Sequence, residues 1–119
     1  MEYELTWHKR ADCPYLILRG TMFAEDVEML ISTLIEQVID KGEKCVLVDI
    51  REYDSSFSEL EIISILRNFP TKLRALKTAI LLTEKKAKIA RLYESIVYSN
   101  GFAIRFFKDE EKAQEYLRG

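Results

Sequence analysis

Four groups of residues in this chain have types and spacings from which chemistry could be built, and each also has a plain structural use. The first is Asp54-Ser55-Ser56-Phe57-Ser58, hydroxyls set ahead of a helix, where the free N–H groups and dipole of a first turn would stabilise a phosphate. Capping and turn formation account for the same residues, and Ser58 alone suffices for the cap. The second is a basic run: Arg67, Lys72, Arg74, Lys77, Lys85, Lys86, Lys88 and Arg91. Near an anionic membrane surface each such charge adds about 1 kcal/mol of attraction; elsewhere it is a solvated face. The third is Asp49, which ends a strongly apolar run, where an Asp can serve as metal ligand or base but more often caps the following turn. The fourth is His8, the single histidine, which lacks a sequence-near carboxylate or thiol at metal-ligand spacing and reads as a surface or half-buried residue.

Recognised catalytic motifs are absent: there is no G-x-G-x-x-G, Walker lysine loop, G-x-S-x-G elbow or C-x-x-C. Cys13, beside Pro14 in an expected loop, and Cys45, in an expected buried strand, read as separate reduced thiols rather than a disulfide or zinc pair. An enzyme is therefore not expected, nor a metal or cofactor. Catalysis would need Asp49 and His8 together in a deep polar pocket.

The element that must position these groups is Lys44-Cys45-Val46-Leu47-Val48-Asp49-Ile50. Its run of apolar residues, bounded by a Gly-Glu-Lys turn and a charged segment, predicts a strand buried on both faces, which needs helices above and below it. Asp49 to Ser58 would then emerge as a loop at the carboxyl end of that strand, where open α/β sheets bind ligands. Ahead of it, Glu2–His8 alternates as an edge strand and Tyr15–Arg19 forms a second, close enough to pair antiparallel. Residues 25–41 place Val27, Leu30, Ile31, Leu34, Ile35, Val38 and Ile39 on one helical stripe, ended by Gly42. Ser58 and Glu61 form a capping box that starts a second helix. Its apolar residues, Leu60, Ile62, Ile63, Ile65, Leu66 and Phe69, spread beyond one narrow stripe, as in a helix shared with a partner or ligand. A strand over 78–83, a helix over 84–99 closed by Asn100-Gly101, a strand over 102–107 and a short helix after Asp109 complete the order ββαβαβαβα.

A length of 119 residues with 48% hydrophobic and 32% charged residues suits one domain spanning 1–119. The apolar runs are far too short to cross a bilayer and the first residues are acidic, so a soluble, cytoplasmic protein is expected. The net charge of −2 hides a division. Residues 1–61 carry six basic against fourteen acidic side chains, and residues 62–108 carry ten against two. Such asymmetry attracts an anionic partner or draws the two halves together. Nucleic acid fits poorly, because the domain is net acidic and its aromatics mostly occupy core positions.

Several stretches resemble the SpoIIAA-like branch of the STAS domains, single-domain relatives of anti-sigma-factor antagonists. They are Leu47-Val48-Asp49-Ile50-Arg51, Ala79-Ile80-Leu81-Leu82, Gly20 followed by Glu25-Asp26, and the closing segment from Arg105 to Leu117. The resemblance implies a single α/β domain with a mixed sheet of about five strands and four helices, the helices largely on one side, similar to the lipid-carrier fold of CRAL-TRIO domains. In the classical antagonists a serine in an Asp-Ser-Ser-Gly motif is phosphorylated. Asp54-Ser55-Ser56 resembles that motif and nominates Ser56, with Phe57 standing in place of the glycine. The expected function is a non-enzymatic regulatory or binding module. Asp49, Tyr53, Asp54, Ser55, Phe57, Ile62 and Leu66 would engage a partner protein or a small apolar ligand, with homodimer formation as one form of partnership. The alternatives are a carrier of a lipid or other anionic amphiphile, its headgroup on Lys85, Lys86 and Arg91 with peripheral contact to anionic lipid, and a phospho-switch at Ser56.

Overall fold

The computed structural model describes residues 1–119 as a five-stranded mixed sheet with four α-helices. Strands β1 (Glu2–His8), β2 (Cys13–Met22), β3 (Cys45–Ser55), β4 (Lys77–Leu81) and β5 (Ile104–Phe107) lie in that order across the sheet. The hairpin β1–β2 is antiparallel, and every later pair is parallel, as each crosses over through a helix. The helices are α1 (Ala24–Leu34), α2 (Glu59–Arg67), α3 (Ala87–Ser99) and α4 (Glu110–Arg118).

Val46 and Leu47 are fully buried and Val48 nearly so, because the sheet is covered on both faces. Val46 and Val48 join Leu16, Leu18 and Val38 beneath α1. Leu47 faces the other way, with Cys13, Ala79 and Leu81 against Ala113 and Leu117 of α4. Leu66 of α2 and Val97 of α3 close a third cluster with Phe102 and Ile104. Three helices thus lie on one face and α4 alone on the other.

The apolar stripe expected over residues 25–41 is present, but its second half is wound more widely as a π segment over Ile35–Ile39. Its i→i+5 winding places the Asp40 N–H on the Ile35 carbonyl (2.8 Å), and Gly42 (φ +89°) then ends the helix as expected, with its N–H on the Ile39 carbonyl (3.0 Å) and the Glu43 N–H on the Val38 carbonyl (3.0 Å). The helix expected from residue 84 begins as a 3-10 turn over Glu84–Lys86 and becomes α-helical only at Ala87. It ends as the Asn100-Gly101 pair predicts. Gly101 takes φ +84° and the Phe102 N–H returns to the Val97 carbonyl at 2.9 Å.

The largest departure from expectation lies at the carboxyl end of β3. Residues 51–55 were expected in a loop, yet they continue the strand, and residues 52–55 pair with Arg19–Met22 of β2. The exposed Arg19–Glu52 ion pair (3.0 Å) bridges the two strands there. Within that extension the register shifts. Ile17 faces Asp49 and Arg19 faces Glu52, so Ile50 and Arg51 together stand opposite Leu18 as a β-bulge. The extra residue reverses the alternation of side chains downstream. Asp49 lies on the α4 face, whereas Tyr53 packs with Val46 and Val48 on the three-helix face.

Candidate ligand-binding cavity

Between the sheet and the three-helix layer lies a cavity of about 350 Å³. Of its 25 lining residues 22 are hydrophobic, which makes it a site for apolar matter rather than for water. Val27 of α1, Val48 of β3, Ile62 and Leu66 of α2, and Tyr93 of α3 mark its walls. The three polar residues on the wall are Asp54, Ser55 and Lys86. The broad apolar character of α2 is thereby resolved. Ile62, Ile65, Leu66 and Phe69 line the cavity, while Leu60, 79% exposed, faces solvent.

Hydrogen bonds of the serine-rich link hold one rim of this cavity. Ser55 Oγ accepts from the Phe57 N–H at 3.0 Å. Both the hydroxyl of Ser56 (3.0 Å) and its N–H (3.2 Å) donate to the Met22 carbonyl, tying the end of β3 to the end of β2. Ser58 and Glu61 form the expected capping box, each accepting from the other's N–H at 3.2 Å. With all three hydroxyls engaged, Phe57 is set into the cavity wall.

Lys86 stands on the cavity wall beside the end of β3. Its Nζ donates to the Tyr53 carbonyl at 2.6 Å and sits 4.8 Å from the centre of the Tyr53 ring, a cation–π geometry. Burial pushes the Tyr53 hydroxyl above its ordinary pKa, and burial followed by the nearby Glu59 does the same to Tyr93, so both stay protonated at neutral pH.

The other site candidates lie elsewhere. Asp49 is almost fully buried on the α4 face. Its carboxylate accepts from the Tyr15 hydroxyl (2.6 Å), the Arg51 N–H (3.0 Å), and Arg51 Nε (3.0 Å) and Nη2 (2.7 Å). Burial works to raise its pKa, but the bonds from Arg51 and Tyr15 outweigh it and hold the carboxyl below its ordinary value. Burial, then the bond to Asp49, pushes Tyr15 up to about 12. Arg51 also approaches Glu110 at the start of α4 (3.6 Å), and His8 Nε2 lies 3.9 Å from the same carboxylate. His8 Nδ1 accepts from the Ala11 N–H at 3.1 Å, which leaves the proton of the neutral ring on Nε2. This network fastens β1, β2 and α4 to β3. It shares no wall with the cavity, and no group of three His, Cys, Asp or Glu side chains is placed to hold a metal ion.

Seven of the residues nominated from sequence therefore meet in one place: Tyr53, Asp54, Ser55, Phe57, Ile62, Leu66 and Lys86. Asp49 does not join them, and Ser56 does not line the cavity. Lys85 is exposed on the same turn as Lys86, and Arg91 borders a separate open depression with Arg105 between α3 and β5. Cys45 lies in the central strand as expected, but Cys13, expected in a loop, does not. Cys13 begins β2, and the parallel register that sets Tyr15 beside Leu47 sets Cys13 beside Cys45. Both are free thiols, Cys45 packs against the cluster that holds Cys13, and burial above all raises the pKa of each.

In three dimensions the chain is similar to an uncharacterized protein of the DUF3478 family from Shewanella loihica PV-4, whose crystal structure has a SpoIIAA-like fold. The two share a TM-score of 0.64 and 20% sequence identity, covering 98% of this chain and 92% of the other. The fold is SpoIIAA-like. No family model matches the sequence, and no curated protein does. The likeness is one of architecture. No helix is long and apolar enough to cross a membrane.

Proposed function

We propose that this protein is a non-enzymatic binding module of STAS type that takes a small apolar ligand between α2, α3 and the sheet. The observation that carries the proposal is the cavity of about 350 Å³ and its apolar wall. An engineered apolar cavity of about 150 Å³ stays dry and binds benzene. At about 24 cal/mol per Å³, an empty void of the present size would cost about 8 kcal/mol. That is an upper bound, because the cavity has an open mouth. It is nonetheless comparable to the whole stability of a domain, about 5–15 kcal/mol, and a ligand that fills the space offsets it. The titratable side chains on the wall are Tyr53, Asp54, Lys86 and Tyr93, which include no nucleophile beside a general base. The ligand is bound, not transformed.

A partner protein remains the second reading, favoured by Leu60, whose exposure on the outer face of α2 would let a partner sense whether the cavity is filled. The phospho-switch has less behind it. The Ser56 hydroxyl already donates to the Met22 carbonyl, and the first turn of α2 carries Glu59 and Glu61, whose charges oppose a phosphate.

Native mass spectrometry before and after organic extraction tests the proposal, with dodecanol as the defined probe. The expected result is an adduct that extraction removes and dodecanol replaces, with a higher unfolding midpoint in the filled form. A ligand-free protein that neither binds dodecanol nor gains stability from it would refute the reading.

A further inference from the structure

We infer that the ligand is a single-chain amphiphile with one anionic head, and that Lys86 alone among the basic residues receives that head. The inference rests on the cavity reading and adds the chemical class of the occupant. Lys86 is half-buried at the cavity wall, and none of the nine ion pairs of the protein includes it. An ammonium has three donors. Here one goes to the Tyr53 carbonyl and the ring of Tyr53 supports the charge, so no anion of the protein neutralises it. A partly desolvated cation without a counter-ion is unfavourable, and an anion brought by the ligand supplies what the chain withholds.

The remaining charges around the mouth narrow the choice. Asp54, the one acid on the cavity wall, is exposed, and its carboxylate accepts from the Ser55 N–H at 2.8 Å, so it is turned to its own backbone and not to Lys86. Lys85 is exposed on the same turn as Lys86, and Glu84 of that turn pairs with Lys108 (3.6 Å) rather than with Lys86, while Glu59 lies near Tyr93 and makes no ion pair with Lys86. The volume limits the apolar part. At about 350 Å³ the cavity is near the lower end of the 300–1,000 Å³ usual for small-molecule sites, suited to one chain rather than to a two-chain glycerolipid. Carboxylate and monophosphate heads share the required chemistry.

Calorimetric titration with dodecanoate, dodecyl phosphate, dodecanol and dodecylamine, each below its micelle concentration, separates the possibilities. The wild-type protein is expected to bind one or both anions at least about tenfold more tightly than dodecanol, and the amine least. Whichever anion binds more tightly identifies the head. Lys86→Met is expected to abolish that preference, the ratio of anion to dodecanol affinity falling to about one, and Lys86→Arg to keep it. A cooperative urea melt of the Lys86→Met protein shows that it remains folded. Equal binding of anion and alcohol, or an anion preference that survives Lys86→Met, would overturn the inference and leave the apolar cavity standing. Failure of all four probes would overturn both.

Discussion

Replacing Asp49 with alanine removes the acceptor of four hydrogen bonds, 2.6–3.0 Å long, from a side chain that is 6% exposed. Bonds to a charged group contribute about 1.5–3 kcal/mol each, but these four belong to one network and do not add. Breaking a buried ion pair costs about 3–5 kcal/mol when the surviving charge is trapped. Arg51 is not trapped, since its side chain is 42% exposed and keeps Glu110 at 3.6 Å. A loss of about 2–3 kcal/mol follows, which at about 4 °C per kcal/mol lowers the melting temperature by about 10 °C. The penalty should depend on pH with a definite sign. Because the folded state holds the Asp49 pKa below its unfolded value, its stabilisation is complete above about pH 4 and fades as pH falls through the lower folded value. Wild type and Asp49→Ala should therefore converge in acid. Urea melts of wild type, Asp49→Ala, Tyr15→Phe and the double variant would measure both the loss and a coupling of about 1 kcal/mol. Dodecanol affinity should stay unchanged, since Asp49 lies on the face opposite the cavity. A loss below about 0.5 kcal/mol, or weaker ligand binding by the folded variant, would refute the assignment of Asp49 to the structural network.

Ile62→Trp is expected to fill the cavity from α2 and abolish dodecanol binding, with the ligand-free protein within about 2 kcal/mol of wild type in urea melts. Ser58→Ala should cost about 1 kcal/mol by removing the cap of α2, and hydrogen exchange should increase first in its opening turn. With its pKa pushed up to about 12 by burial, the Cys13 thiol should react with iodoacetamide at pH 8 about a thousandfold more slowly than an ordinary thiol, as read by timed peptide mapping. Rapid labelling in the native state would show that the shift is absent.

Much of this fold was legible because its signals are local. The apolar run from Cys45 to Ile50 announced a strand buried on both sides, and the Ser58–Glu61 spacing announced the start of α2. The continuation of β3 through Ser55 was not legible. Arg51-Glu52-Tyr53-Asp54 has the composition of a loop, and what holds it in the sheet is pairing with β2, a contact more than thirty residues away in sequence. The opposite charges of Arg19 and Glu52 were the only hint of that pairing. Lys86 and Tyr53 could be nominated as types but not as a pair, since they meet only after the β4 crossover. The adjacency of Cys13 and Cys45 escaped notice for the same reason: it is a property of register, and register is not written in either strand alone.

The doubled position opposite Leu18 acts as a phase shifter within a single strand. Upstream of it Val48 faces the cavity; downstream, the extra residue brings Tyr53 to the same wall, where an unbroken alternation would present Glu52. Deleting one of those two residues would remove the bulge while Glu52 stays opposite Arg19 and Tyr53 stays inward; a slip of the pairing at full length would instead turn Tyr53 outward and Glu52 inward, trading an aromatic wall for a carboxylate.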